Sequence, residues 1–179
     1  MKKMLVLIVA GWIAGGTAAF AAKPLQVSLT PDVSLFGKKE RIEGLCLSLW
    51  GENPQTALAL GIVNGSTGDS AGFSLGLLLN YADNYKGVQW AAINYTKGDF
   101  FGWQAGVVNY VEGKMKGLQS GVVNYAGTLT GLQFGLFNYA AHAKSGVQLG
   151  LLNIMPDNQW FTGLPDELAP GMVLVNWRF

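Results

Sequence analysis

An all-β fold built from tandem short units is the prediction, and three observations carry it: a repeat of about 15 residues, a strand-forming composition, and strands almost free of charge. The pattern Gly, large apolar, Gln, x, Gly/Ala, apolar, apolar, Asn, Tyr recurs in Gly87–Tyr95, Gly102–Tyr110, Gly117–Tyr125, Gly131–Tyr139 and Gly146–Ile154, with a decayed copy from Gly44. Its asparagines stand at 64, 80, 94, 109, 124, 138 and 153, steps of 14 to 16 residues. Helical-hairpin repeats need more than about 30 residues and leucine-rich repeats at least about 20, so each unit has room for one strand and one turn. The expected architecture is an antiparallel meander closed as a small barrel of about ten strands; the alternative is a β-solenoid with a single strand per coil.

Met1, Lys2 and Lys3, an apolar run from Met4 to Ala14 and the small-residue stretch ending Ala19-Phe20-Ala21 have the order of a secretory signal peptide, so residues 1–21 are expected to be removed and 22–179 to form one repeat-built β domain. Ten basic and eleven acidic residues then remain, a charge of about −1, which gives no steering toward nucleic acid. The single cysteine excludes an internal disulfide framework and a Cys-rich zinc site. A first strand is expected within Leu25–Phe36 and a second from Gly44. Seven more end near the repeated asparagines, and the last spans Met172–Phe179. The connectors Asp83-Asn84, Lys97-Gly98, Glu112-Gly113 and Ala126-Gly127 suit tight hairpin turns. Alternation places Leu118, Ser120, Val122 and Asn124 on one face and Met115, Gln119, Val123 and Tyr125 on the other.

Segments 54–68, 70–82, 88–96, 100–111, 117–143 and 145–156 contain no Asp, Glu, Lys or Arg, so either both faces are buried or one meets lipid. Val173, Val175, Trp177 and Phe179 share one face of the final strand, which resembles the closing strand of bacterial outer-membrane β-barrels. Closure would also remove the exposed sheet edges. Against the barrel, identical asparagines stack only when successive units run in the same direction, and the connectors are uniformly short. The repeat Gly-Leu-Gln-x-Gly-Leu/Val-Val/Phe-Asn-Tyr-Ala also resembles a family of uncharacterised bacterial surface-repeat proteins, from about Gly44 to the end, with departures at Gly65, before Asn80 and at Ile154. That resemblance implies placement at the outer membrane or cell surface of a diderm bacterium and transfers no functional residue.

No catalytic, cofactor-binding or metal-binding residue emerges, and no cofactor is expected. His142 sits in a turn without Cys or carboxylate nearby in sequence; Cys46 reads as a small buried hydrophobe. Gly-x-Gln-x-Gly lies on strands and precedes no helix, so it is no phosphate cradle. Asp69, Asp83, Asp99 and Glu112 lack the calcium-coil signature and read as turn residues. Gln89, Gln104, Gln119, Gln133 and Gln148 line a polar interior or satisfy one another across strands. Tyr81, Tyr95, Tyr110, Tyr125 and Tyr139 suit an interfacial girdle, a sugar-stacking stripe or a cover over glycine. The irregular stretch Met155–Pro170 is the first place to seek a partner. The expectation is an exported structural or interaction protein, not an enzyme. As a barrel it meets outer-membrane lipid; as a soluble solenoid it binds a polymer or protein, and nucleic acid is no partner.

Overall fold

Like residues lie beside like residues because the strands pair in parallel at an offset equal to the sequence repeat. The computed structural model describes residues 23–179, so the expected signal peptide lies outside the described residues. The strands are β1 (Lys23–Thr30), β2 (Val33–Ser34), β3 (Ile42–Asn53), β4 (Gln55–Trp90), β5 (Ile93–Thr96), β6 (Phe100–Ala105), β7 (Val108–Ser120), β8 (Val123–Phe134), β9 (Phe137–Ile154) and β10 (Gly171–Arg178). Asn94 pairs with Asn109, Asn109 with Asn124 and Asn124 with Asn138; Gly87, Gly102, Gly117, Gly131 and Gly146 form a second row.

The chain is a β-solenoid of about 8 turns, which corrects the expected antiparallel barrel. Strands β3 to β9 pair in parallel, and β2 and β10 lie at opposite ends of the strand order, so the sheet does not close on itself. The physical reason is visible at the connectors expected to form hairpins. Lys97 N donates to Ala82 O at 2.9 Å and Gly98 N to Asp83 O at 2.7 Å, so these backbone donors reach back to the preceding coil instead of across a hairpin.

The solenoid named as the alternative is the form found, and each of its coils has two sides. A long side such as Phe100–Ala105 turns at Gly106-Val107 into a short side, Val108–Val111, which turns at Glu112-Gly113 into the next long side. The first corner, at Gly106-Val107, Gly121-Val122 and Gly135-Leu136, lies inside what strand propensity reads as continuous strand. It also reverses the alternation, so Gln119 and Asn124 both point inward and are fully buried, while Val123 points outward. Glycine is required where coils touch: Gly117 has φ +130°, and a Cβ there would overlap the carbonyl oxygen of Gly102.

Both ends are covered. At the first coil, Phe36 packs against Ile42, Cys46, Ala57 and Ala59, and Gln26 Nε2 donates to Phe36 O and Asn53 Oδ1. At the last coil, β10 runs antiparallel to β9, and the segment before it folds back with Met155, Leu168 and Ala169 buried. The terminal strand expected to close a barrel is therefore a cap over the final coil. Capping of this kind blocks the open edge at which parallel coils would otherwise add.

Candidate interaction surface

Three columns fill the interior. Tyr85, Phe100, Met115 and Leu129 form an apolar column that clusters with Val111, Ala126 and Ala140. Beside it the five glutamines bond to one another: Gln104 Nε2 donates to Gln89 Oε1 (3.0 Å), Gln119 to Gln104 (3.0 Å), Gln133 to Gln119 (2.8 Å) and Gln148 to Gln133 (2.7 Å). Behind the glycine corner the asparagines do the same in the opposite sense, each donating toward the C-terminus, from Asn64 through to Asn153. Asn64, Asn94, Asn109, Asn124 and Asn138 also donate to a main-chain carbonyl at the next corner, as Asn94 to Ala105 O (2.8 Å) and Asn124 to Phe134 O (3.0 Å), whereas Asn80 donates to Ser74 O and Asn153 to Gly150 O beside their own corners. A buried amide satisfied on both sides costs little to desolvate, which is how so polar an interior is tolerated. The glutamines thus both line the interior and satisfy one another.

Charge collects at the other corner. Asp83 Oδ2 accepts from Gly68 N (2.8 Å), Asp99 Oδ1 from Lys114 N (2.9 Å), and Asn84 bridges Asp69 and Asp99 N. These acids stand in turns, as read from the sequence, and Asp83 and Asp99 accept from the backbone of a neighbouring coil. His142, with no carboxylate near it in sequence, meets Asp157 at 2.9 Å because the residues are one coil apart. Among the described residues, no group of three or more His, Cys, Asp or Glu is placed to hold a metal ion. Cys46 is buried, its thiol donates to Gln55 Oε1 at 2.9 Å, and burial pushes its pKa up to about 12, so it has little thiolate character.

The tyrosines face outward on the short side. Tyr95, Tyr110, Tyr125 and Tyr139 stack with ring centroids 5.9, 4.3 and 5.5 Å apart. Tyr95 donates to Glu112 Oε1 at 2.6 Å, which raises its pKa. Gly65 replaces tyrosine because Tyr81 lies across it: a Cβ on Gly65 would strike that ring, and the Tyr81 hydroxyl donates to Glu52 Oε2 at 2.6 Å. Burial, then Glu52, pushes Tyr81 up to about 12.

Met155–Pro170 is tied down to the last strand, with Trp160, Phe161 and Leu164 left exposed. Asn158 Nδ2 donates to Trp177 O (2.9 Å), Arg178 pairs with Glu167 (2.5 Å), and Trp177 Nε1 donates to Pro165 O (2.9 Å). The surface that sequence reasoning missed is the glycine corner. Val107, Leu136 and Leu151 project there, with Trp90 and Phe134 on one flank and Ile93 and Phe137 on the other, all exposed. Its signal is present in the repeat: two adjacent apolar residues between Gly and Asn cannot both be inward on one strand. The chain matches no family model, no curated protein and no solved structure.

Proposed function

We propose that this chain is an exported, non-catalytic interaction protein of a diderm cell surface, a stiff solenoid that presents in-register outer rows to a planar or repetitive partner. The observation that carries the reading is the repetition of one outward side chain per coil, best seen in the stacked Tyr95–Tyr139 row. Such a surface offers the same contact at every coil, about 4.8 Å apart, and so favours partners that are themselves flat or periodic. Its ionisable groups are strung along one corner and engaged by neighbouring backbone, an arrangement suited to holding coils together rather than to converging on a substrate. The basic, apolar, A-x-A order of residues 1–21 supports export, and the resemblance of the repeat to surface-repeat proteins supports placement at the envelope.

Fractionating expressing cells and weighing the recovered protein tests this. The expected result is protein in the envelope or medium, shortened by about 21 residues. Full-length protein confined to the cytoplasm would overturn it.

A further inference from the structure

We propose that the glycine-corner edge of the solenoid seats in the interfacial layer of a lipid bilayer, with the charged corner facing water. This rests on the reading of an exported protein that works by surface contact, and it names the partner. Four observations lead to it.

The edge is apolar along its length. Leu77 (69% exposed), Trp90 (51%), Phe134 (59%), Leu136 (51%) and Leu151 (58%) line it, and no Asp, Glu, Lys or Arg occurs at the corners Gly106-Val107, Gly121-Val122, Gly135-Leu136 or Gly150-Leu151. With about 8 turns the ridge is roughly 35–40 Å long, far beyond the scattered apolar residues of an ordinary soluble surface.

Polarity is graded in the same order down both flanks. On the short side the sequence from edge to charged corner is Val122, Val123, Tyr125, and the corresponding Tyr95 hydroxyl points on toward Glu112. On the long side Phe134 and Leu132 precede Thr130, with Lys116 in the Thr130 row one coil earlier. Aromatic rings with a polar tip, set between an apolar edge and a charged one, match the chemistry of the headgroup boundary.

Its apolar side chains also sit on both flanks of the corner, Trp90 and Phe134 on one and Ile93 and Phe137 on the other. Two copies meeting ridge to ridge would touch along the corner residues and leave Trp90, Phe134, Ile93 and Phe137 wet, whereas a fluid acyl layer wets both flanks at once. An open recess of about 810 Å³ between Leu77, Trp90 and Trp103, floored by Ala91, Ala105 and Gly106, further roughens the edge in a way that suits a flexible chain.

The test is flotation of the purified protein with vesicles of phosphatidylethanolamine and phosphatidylglycerol at low and high salt. The expected result is salt-insensitive binding that falls at least about 10-fold in the triple variant Val107→Lys, Leu136→Lys, Leu151→Lys, whose thermal midpoint stays unchanged. A second readout needs no charge substitution: lipids brominated in their acyl chains quench the tryptophan emission, and Trp90→Phe removes much of that quenching. Protein that stays in the aqueous fraction without quenching overturns the inference. So does a lipid-free dimer, seen by sedimentation, that the triple variant dissociates, since the occupant is then a second copy. Fractionation and N-terminal processing report on export separately, so an exported protein that ignores vesicles refutes this inference alone.

Discussion

Two regions of the solenoid use the same coil with different interiors. In the regular coils from Tyr85 to Ile154 one inward position is apolar (Tyr85, Phe100, Met115, Leu129) and the next is glutamine. Toward the N-terminus the chemistry is exchanged. The glycine row continues back as Gly87, Gly72 and Ala57, so the apolar position holds Tyr85, then Ser70, Gln55 and Ile42, and the glutamine position holds Ser74, Ala59 and Cys46. Gln55 is satisfied there by other partners, donating to Ser66 Oγ at 2.6 Å and accepting from Cys46. The asparagine column alone is common to both, and Asn64 donates to Leu75 O at 2.9 Å as Asn94 does to Ala105 O. The lesson is that asparagine at this corner serves both regions, since Asn64, Asn94, Asn109, Asn124 and Asn138 each donate to a main-chain carbonyl of the next coil, while Asn80 donates to Ser74 O. The glutamine column is confined to the regular coils, where each amide bonds to its neighbour and Gln119, Gln133 and Gln148 also donate to Tyr125 O, Tyr139 O and Ile154 O.

The largest expected effect of breaking that shared column is in its middle. Asn124→Leu leaves Asn138 Oδ1 and an Asn109 N–H without partners, takes from Phe134 O one of its two donors, and should cost about 3 kcal/mol, read from urea midpoints. Next comes the glycine row: Gly117→Ala should cost well over about 1 kcal/mol, whereas Ala57→Gly, in the same row where the backbone already accepts a Cβ, should cost no more than about 1 kcal/mol. Equal losses at the two sites would erase the contrast between the regions.

Smaller changes sharpen it. Gln148 ends its ladder and its own Oε1 has no partner, so Gln148→Met orphans Gln133 Oε1 alone among the ladder amides and should cost about 2 kcal/mol, less than Asn124→Leu as the internal standard. Raising the pH should act first on the N-terminal coils. Cys46 and Tyr81 have pKa values raised to about 12, above the roughly 8.5 and 10 of an unfolded chain. The stability that their neutral forms contribute is fully present below about pH 8.5 and is lost as the pH climbs toward 12. Amide exchange should therefore quicken first in β3 and the start of β4, and Cys46→Ala with Tyr81→Phe should flatten the alkaline decline. The smallest effect is at the exposed stack, where Tyr110→Leu should change the midpoint by no more than about 1 kcal/mol.

Much of this was legible in the residues. The repeat length, the all-β class and the placing of the acids in turns follow from spacing and composition, and the stacking of identical asparagines pointed to parallel coils, while the glutamines stayed open between lining an interior and satisfying one another. The turns did not settle the pairing direction, because Lys97-Gly98 suits a hairpin turn and a coil corner equally well. The second corner at Gly121-Val122 was hidden because its residues, taken singly, favour strands. Having missed that reversal, alternation set Gln119 and Asn124 on opposite faces and left the exposed Val107, Leu136 and Leu151 ridge unseen.

By itself the sequence determined that one unit repeats and which residues recur in it, since periodicity is a property of the chain. Only the tertiary structure decided whether a backbone donor turns to the strand across a hairpin or to the coil beneath. Both choices satisfy the same local turn chemistry, and the difference is made by what stacks: parallel coils bring each amide onto an identical amide and each glycine onto a carbonyl that tolerates no side chain. That choice also gathered the charges at one corner and the apolar side chains at the other.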